Sequence, residues 1–516
     1  MPGGLIQIVA YGIQDVFLTA DPQITFFKVL YRRYTNFSIE PVPQYFNTNT
    51  IQFGQKVSCT LSRTGDLVHK IYLVVDLPSI PPFISKNSCD SIFKFAWVRK
   101  IGFAMIKSAE IEIGGQLIDK QYSDWMYIWD ELTNDHKYRG FDNMIGNIPE
   151  LTKFTNGKSG YRLHIPLQFW FCRHVGLSLP IVALQYNEVK INIEIENQAN
   201  CFLVGPTQCI EITNSVVHYQ LGEWIQQKIG SRIAIGMFID FDIATGKLYY
   251  IRASDNTFLG FNPSTVNNLS GVNLDNFNQQ YGITGLCSNY TSYPKMNALE
   301  KNIRPPVSFD VLPIPNMFLD VQYVYLDLEE RFRFINTAHE YLIEQLQIGS
   351  IRPIQSKQFE LQLSLNHPNR ALFWIAQLGA CININDRFNY TNSVVRDLTT
   401  DKLCGKNLVS NSKILLNSVP RFETQPGTYF NWIQPYQYFI VDPEEGVNVY
   451  SFGLNAITNQ PAGTCNMSKM DFININVGID PNGLPYLGTK AQVKVYGLSY
   501  NILRVINGLG GVLFSN

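Results

Sequence analysis

Ile111-Glu112-Ile113-Gly114-Gly115-Gln116-Leu117-Ile118-Asp119 alternates apolar and polar residues on both sides of a Gly-Gly pair. Alternation of period two gives a strand one apolar face, and glycines enter the positive-φ region of a two-residue hairpin turn without strain. The stretch therefore reads as two antiparallel strands joined tightly. The same pattern recurs along the chain, bounded by Gly, Pro, Asn and Asp. Strands are expected in the first half at roughly 38–52, 56–62, 69–76, 106–113, 116–121, 162–171, 187–196 and 319–327. A helix over Asp124 to Thr133 follows the hairpin, because Trp125, Ile128, Trp129 and Leu132 recur at helical spacing.

Consecutive antiparallel strands alternate direction, so alternate links emerge at opposite ends of the sheets. The second, fourth and sixth links are short, whereas the third, fifth and seventh are far longer. Nearly all the bulk should hang from one end of an eight-stranded unit.

The second half repeats the first. Val324-Tyr325, followed by Phe332-Arg333-Phe334-Ile335-Asn336, recurs as Val495-Tyr496 followed by Leu503-Arg504-Val505-Ile506-Asn507. The strand-turn-strand Val57 to Val75 has a counterpart in Phe359 to Ile375. The Gly-Gly hairpin with its Trp-rich helix is echoed by Lys413 to Glu423 followed by Tyr429-Phe430-Asn431-Trp432. Matches in one order argue for a duplicated all-β unit. A long insertion, about 197–318, sits in the first copy only. It carries its own hairpin, Ile233 to Ile243 and Leu248 to Arg252, and its later part, Asp255 to Asn297, reads as a solvated elaboration without a core because it is rich in Asn, Ser, Tyr and Gly.

Composition removes several classes of function. The 516 residues carry 41 Lys+Arg against 42 Asp+Glu, and charged residues make up only 16%, against about 25% in ordinary domains. Such a chain offers no broad basic surface to nucleic acid or to an anionic membrane, and no direct nucleic-acid contact is expected. Nine widely spaced cysteines read as reduced thiols. Met1 to Ala20 is apolar but lacks a basic start and is interrupted by Gln7, Gln14 and Asp15, so it reads as neither a signal peptide nor a spanning helix.

Catalytic and metal patterns reduce to decoys, and no catalytic, cofactor or metal residue is assigned. The seven histidines never fall at i, i+4 and no C-x-x-C occurs. Gly483 to Lys490 has phosphate-loop glycine spacing, but Thr489-Lys490 stand in the wrong order and no helical pattern follows, so it reads as a surface turn. Asp240 and Asp242 begin like a calcium loop, yet Ala244 occupies a ligand position. A β-sandwich glycan hydrolase would need converging carboxylates, for which Asp240, Asp242, Glu329 and Glu330 are the nearest pairs. A carbohydrate-binding module would display aromatics, for which Tyr249, Tyr250, Tyr281 and Tyr290 are the candidates. Among the N-x-S/T sequons, Asn268 and Asn289 lie in the insertion, where exposure favours a glycan.

Other stretches carry a resemblance. Gly3-Gly4-Leu5-Ile6-Gln7, Asp21-Pro22-Gln23-Ile24-Thr25-Phe26-Phe27-Lys28, Tyr31-Arg32-Arg33-Tyr34, Leu179-Pro180-Ile181-Val182, His339-Glu340-Tyr341 and Gln460-Pro461-Ala462-Gly463 together resemble the major capsid proteins of large nucleocytoplasmic DNA viruses. The resemblance implies an all-β double jelly roll, two consecutive eight-stranded barrels with short helices in loops. It also implies a structural role rather than an enzymatic one: a homotrimer of pseudo-hexagonal outline that tiles an icosahedral virion shell. The implied partners are neighbouring capsomers, minor capsid and penton proteins and a nearby internal membrane, with synthesis in the host cytoplasm. On this reading 1–25 is an assembly arm, 26–328 the first jelly roll with its insertion at about 197–318, 329–340 a connector and 341–516 the second jelly roll.

Overall fold

A strand that is apolar on one face must hide that face against another layer. In the computed structural model, which describes all residues except 1–2, 49, 84–91, 135–139, 263–279, 305–311, 399, 401 and 515–516, this is met by two face-to-face sheet pairs. The first uses β1 (Phe37–Tyr45), β2 (Lys56–Thr60), β3 (Leu67–Leu77), β4 (Ile106–Ile113), β5 (Gln116–Tyr122), β6 (Tyr161–Pro166), β7 (Val189–Ile195) and β8 (Met317–Leu326). Their antiparallel sheets run β1-β8-β3-β6 and β2-β7-β4-β5.

The second uses β9 (His339–Pro353), β10 (Gln358–Gln362), β11 (Pro368–Gln377), β12 (Val409–Leu416), β13 (Val419–Pro420), β14 (Val447–Ser451), β15 (Ile473–Ile479) and β16 (Gln492–Ile506). Its sheets run β9-β16-β11-β14 and β10-β15-β12-β13. Adding eight to each strand of the first barrel reproduces the second. The duplication is one of topology, and the fold is a double jelly roll.

Two of the matched pairs correspond less closely than their sequences suggest. Val324 and Val495 both lie in the last strand of a barrel, but Val324 pairs with Leu67 at the start of β3 while Val495 pairs with Trp374 near the far end of β11. Phe332 to Asn336 belongs to a helix (Leu328–Asn336), whereas Leu503 to Ile506 continues β16. Sequence similarity there followed residue type, and pairing register decided the position.

The strand expected at 38–52 ends at Tyr45, and the one expected at 162–171 ends at Pro166, one residue before a last backbone hydrogen bond from Leu167 to Ile71, after which the chain turns into the short helix Trp170–Arg173. Pro41 and Pro43 sit on β1, an edge strand, where prolines blunt pairing with other chains. The Gly-Gly hairpin forms as expected, with φ of +59° at Gly114 and +82° at Gly115.

The long links leave the end of the first barrel opposite Phe37, and they interlock. Lys94–Trp97 of the third link pairs with Phe202–Gly205 of the seventh, and Phe95 exchanges backbone hydrogen bonds with Thr155 of the fifth. Neither short strand is apparent from alternation, since all four residues of the first are buried or half-buried.

The insertion builds a seven-stranded sheet that includes Trp224–Ile229, Arg232–Asp242 and Lys247–Arg252. The expectation that Asp255 to Asn297 lacks a core is overturned: Phe258, Phe261 and Ile283 are buried, and Tyr219 beneath them donates to the Ile283 carbonyl at 2.6 Å. A few well-placed apolar residues closed a core that average composition concealed.

Candidate functional site

The helix expected after the hairpin runs over Ser123–Thr133 and is central to the architecture. Its apolar residues face in several directions, so it is buried almost all round. Trp125, fully buried, meets Phe373 of β11 edge-on at 4.9 Å, and Tyr127 stacks on Phe388 at 4.7 Å. Both partners belong to the second barrel. One apolar core consequently runs through the first barrel and across this helix to Phe373, Val449, Tyr496 and Leu498.

Polar groups close the same seam. Asp124 accepts from Lys494 Nζ at 2.5 Å, Tyr390 Oη at 2.9 Å and Tyr496 Oη at 3.2 Å. Burial pushes its pKa up, but the cations of Lys494 and Arg387 outweigh that and hold the carboxyl below its ordinary value. Asp119 on β5 accepts from the Leu346 amide of β9 at 3.0 Å, and Gln345 donates to the Ile118 carbonyl. Burial is the larger influence at Asp119 and raises its pKa. Glu344 is held between Arg173 of the first barrel, at 2.5 Å, and Arg370 of the second. The edge of β9 is thereby covered by its own chain.

Beyond the seam, the loop end joins both barrels. Lys100 pairs with Glu131 at 2.5 Å, and Tyr127 Oη donates to Glu444 at 2.8 Å. Asn383 reaches the Ala253 carbonyl in the insertion at 2.7 Å. At the opposite end, Asn187 Nδ2 donates to the Gly510 carbonyl at 2.9 Å, and Leu117, Tyr186, Phe332, Leu509 and Phe514 are exposed. The N-terminal segment enters there. Its helix, Gly3–Val9, buries no residue, and every residue from Leu18 through Glu40 is exposed, Phe27 to 99%.

The decoys separate cleanly. Tyr249 and Tyr250 are buried, and Tyr250 donates to Glu300, so they form no carbohydrate platform; Tyr281 and Tyr290 are half-buried. Asp242 accepts from the Ala244 amide and the Thr245 hydroxyl within its hairpin turn, while Asp240 pairs with Lys94. Glu329 and Glu330 open a helix capped by Asp327. Pro481–Tyr486 is a 3-10 turn followed by strand β16, as expected of a surface turn. Among the described residues no His, Cys, Asp or Glu cluster could hold a metal. Asn289 is exposed at a turn; Asn268 lies outside the described residues. Sequence reasoning missed Asp119, Asp124 and Glu344, whose partners lie far along the chain.

The comparisons with known proteins agree with this geometry. Residues 25–228 match the family model for the major capsid protein N-terminus, and residues 330–511 match that for the large eukaryotic DNA virus major capsid protein. The chain is 43% identical to the probable capsid protein 4 of Acanthamoeba polyphaga mimivirus, and 30% identical to the major capsid protein of Paramecium bursaria Chlorella virus 1, with 100% of both chains covered in each case. Among solved structures, the PBCV-1 virus capsid aligns over 95% of this chain and 100% of its own, with a TM-score of 0.61 at 24% identity. The Faustovirus major capsid protein aligns over 96% and 94%, with a TM-score of 0.62 at 12% identity.

Proposed function

Because the chain belongs to the major capsid proteins of large eukaryotic DNA viruses, with a structural role in the virion capsid, we propose that it works as a homotrimer of pseudo-hexagonal outline in an icosahedral shell. The observation that carries this is the identical strand order of the two barrels, welded by the helix Ser123–Thr133. Three such chains set six like barrels around one axis, a shape that packs in a hexagonal layer. Sedimentation and electron microscopy of the purified chain should find a stable trimer with a six-lobed outline. A monomer persisting at micromolar concentration would overturn the reading.

In this arrangement the interlocked loops and the insertion at about 197–318 face outward, away from the end where the arm emerges. The base turns inward. The arm 1–25 is an assembly element, 26–328 and 341–516 act as the two barrels, and 329–340 connects them. Minor capsid proteins, penton proteins and an internal membrane are the partners that the exposed apolar arm and base suit, since such a surface calls for cover. The free state of the eight described cysteines suits synthesis in the host cytoplasm. Asn289, exposed two residues before Thr291, and Asn268 in the same insertion are the positions for a glycan, which intact-mass measurement of virion protein would reveal.

A further inference from the structure

The two barrels meet asymmetrically. From the first barrel come strand β5 and the helix that follows it; from the second comes the sheet β9-β16-β11-β14. That sheet is buried on both faces. Leu372 and Trp374 point into the second barrel's own core, while Phe373 and Tyr496 point outward against the helix of the first.

Duplication supplies each side of this seam a second time. The counterpart of β5 and its helix is β13 followed by the π turn Tyr429–Ile433 and the short helix Gln434–Tyr438. The counterpart of the covered sheet is β1-β8-β3-β6. Within one chain these second versions do not meet each other, and each keeps side chains open to solvent. Trp125 and Trp129 of the first helix are 0% and 5% exposed, whereas Trp432 and Tyr436 of its counterpart are 52% and 82% exposed, with Ile433 and Ile440 exposed beside them. Strand β1 shows none of its nine residues buried, and Ile39 and Tyr45 stand open.

We propose that the segment Tyr429–Ile440 of one copy docks on the outer face and β1 edge of the sheet β1-β8-β3-β6 of the next copy, repeating between chains the seam built within each. This rests on the homotrimer reading and names the surfaces that would make it. The two surfaces differ, so the contact is heterologous, and a contact repeating the internal one advances one barrel in six and closes after three chains. Tryptophan and tyrosine are the residues that anchor subunit contacts. Pro41 and Pro43 withhold amides from the β1 edge, so the contact is side-chain packing rather than continuation of the sheet. The outer face of this sheet is also more polar than its counterpart: exposed Lys70 and His164 and half-buried Tyr72 and Gln322 stand where the second barrel has Phe373 and Tyr496. A face that meets water before assembly has that character, and one sealed during folding does not.

The test uses two full-length variants, Trp432→Ser with Tyr436→Ser, and Ile39→Lys with Tyr45→Arg. All four side chains are exposed, so circular dichroism and thermal unfolding of the separated chains should remain unchanged. Each variant alone should sediment as a monomer at concentrations at least 100-fold above those at which the wild type stays trimeric. Mixed in equal amounts they should form a dimer and stop there, because one intact surface remains on each. Trp432→Phe with Tyr436→Phe should keep the trimer. Trimers persisting in either disruptive variant would overturn the docking while leaving the trimer reading intact, and would leave the patch for another protein. Monomers that fail to pair when mixed would overturn the pairing of these two faces. A monomeric wild type would instead overturn the trimer reading itself.

Discussion

Replacing Trp125 by alanine should uncouple the two barrels. The side chain is fully buried and touches Phe373 across the seam and Trp129 on its own helix, at 4.9 and 5.4 Å. Truncating a buried Trp to Ala typically costs about 3–5 kcal/mol. Its indole Nε1 has no hydrogen-bond partner among the described residues, and removing an orphaned buried donor returns part of that cost, so about 3 kcal/mol is expected. At about 2.1 cal/mol/K of unfolding entropy per residue, a loss of 3 kcal/mol lowers the Tm of the whole 516-residue chain by about 3 °C if it melts as one unit. The contact with Phe373 is the one that holds the barrels to each other. Scanning calorimetry should therefore show one transition in the wild type and two in Trp125→Ala. Trp374→Ala removes an equally buried indole that packs on Phe430 inside the second barrel, and it should lower a single transition without dividing it. If Trp125→Ala leaves one transition shifted by less than about 1 °C, equivalent to about 1 kcal/mol, the helix does not couple the barrels.

Further outcomes follow from other parts of the structure. Glu344→Ala strands Arg173 and Arg370 in the seam, which should cost about 3–5 kcal/mol, measurable by denaturant unfolding, while replacing both arginines along with it should recover most of the loss. Gly114→Ala should destabilise more than Gly115→Ala, because a Cβ at Gly114 would lie 2.4 Å from Asn187 Nδ2 whereas Gly115 faces open space; the second change should cost only about 1–2 kcal/mol for its positive φ, and equal losses would contradict the hairpin geometry. Asp119 has a folded pKa raised by burial, so its contribution to stability is greatest below the unfolded value near 3.8 and declines as pH rises through the folded value; Asp119→Asn should flatten this part of the Tm–pH profile and gain on the wild type toward neutral pH. Deleting residues 1–24 should leave the thermal stability of trimers nearly unchanged but prevent shell formation in a particle-assembly assay, and trimers that fall apart would place the arm in the folded body.

Pattern carried a long way into this protein because strands announce themselves locally. Ile111 to Asp119 specifies a hairpin through alternation and two glycines, and β4 and β5 form where that pattern puts them. The helix after it, the eight strands of the first barrel and the unequal links were legible for the same reason: each depends on residues within a few positions of one another. Failures came where spacing no longer reported position. Val324 and Val495 matched in type but differ in register, and Tyr249 and Tyr250 looked like surface aromatics until the insertion closed over them.

The backbone elements, their duplication and the end from which the loops emerge are all written in short stretches of residues, because period-two alternation and turn chemistry are properties of the local chain. Which faces meet depends on contacts between residues far apart in the chain. Asp119 finds the Leu346 amide 227 positions away, and Asp124 finds Lys494 370 positions away. Nothing near either aspartate encodes its partner, since a sheet face that is apolar on both sides satisfies the alternation rule no better than one that faces water. Folding chose the covered face of the second barrel by bringing the helix of the first against Phe373 and Tyr496, and the same step left Trp432 and Tyr436 bare.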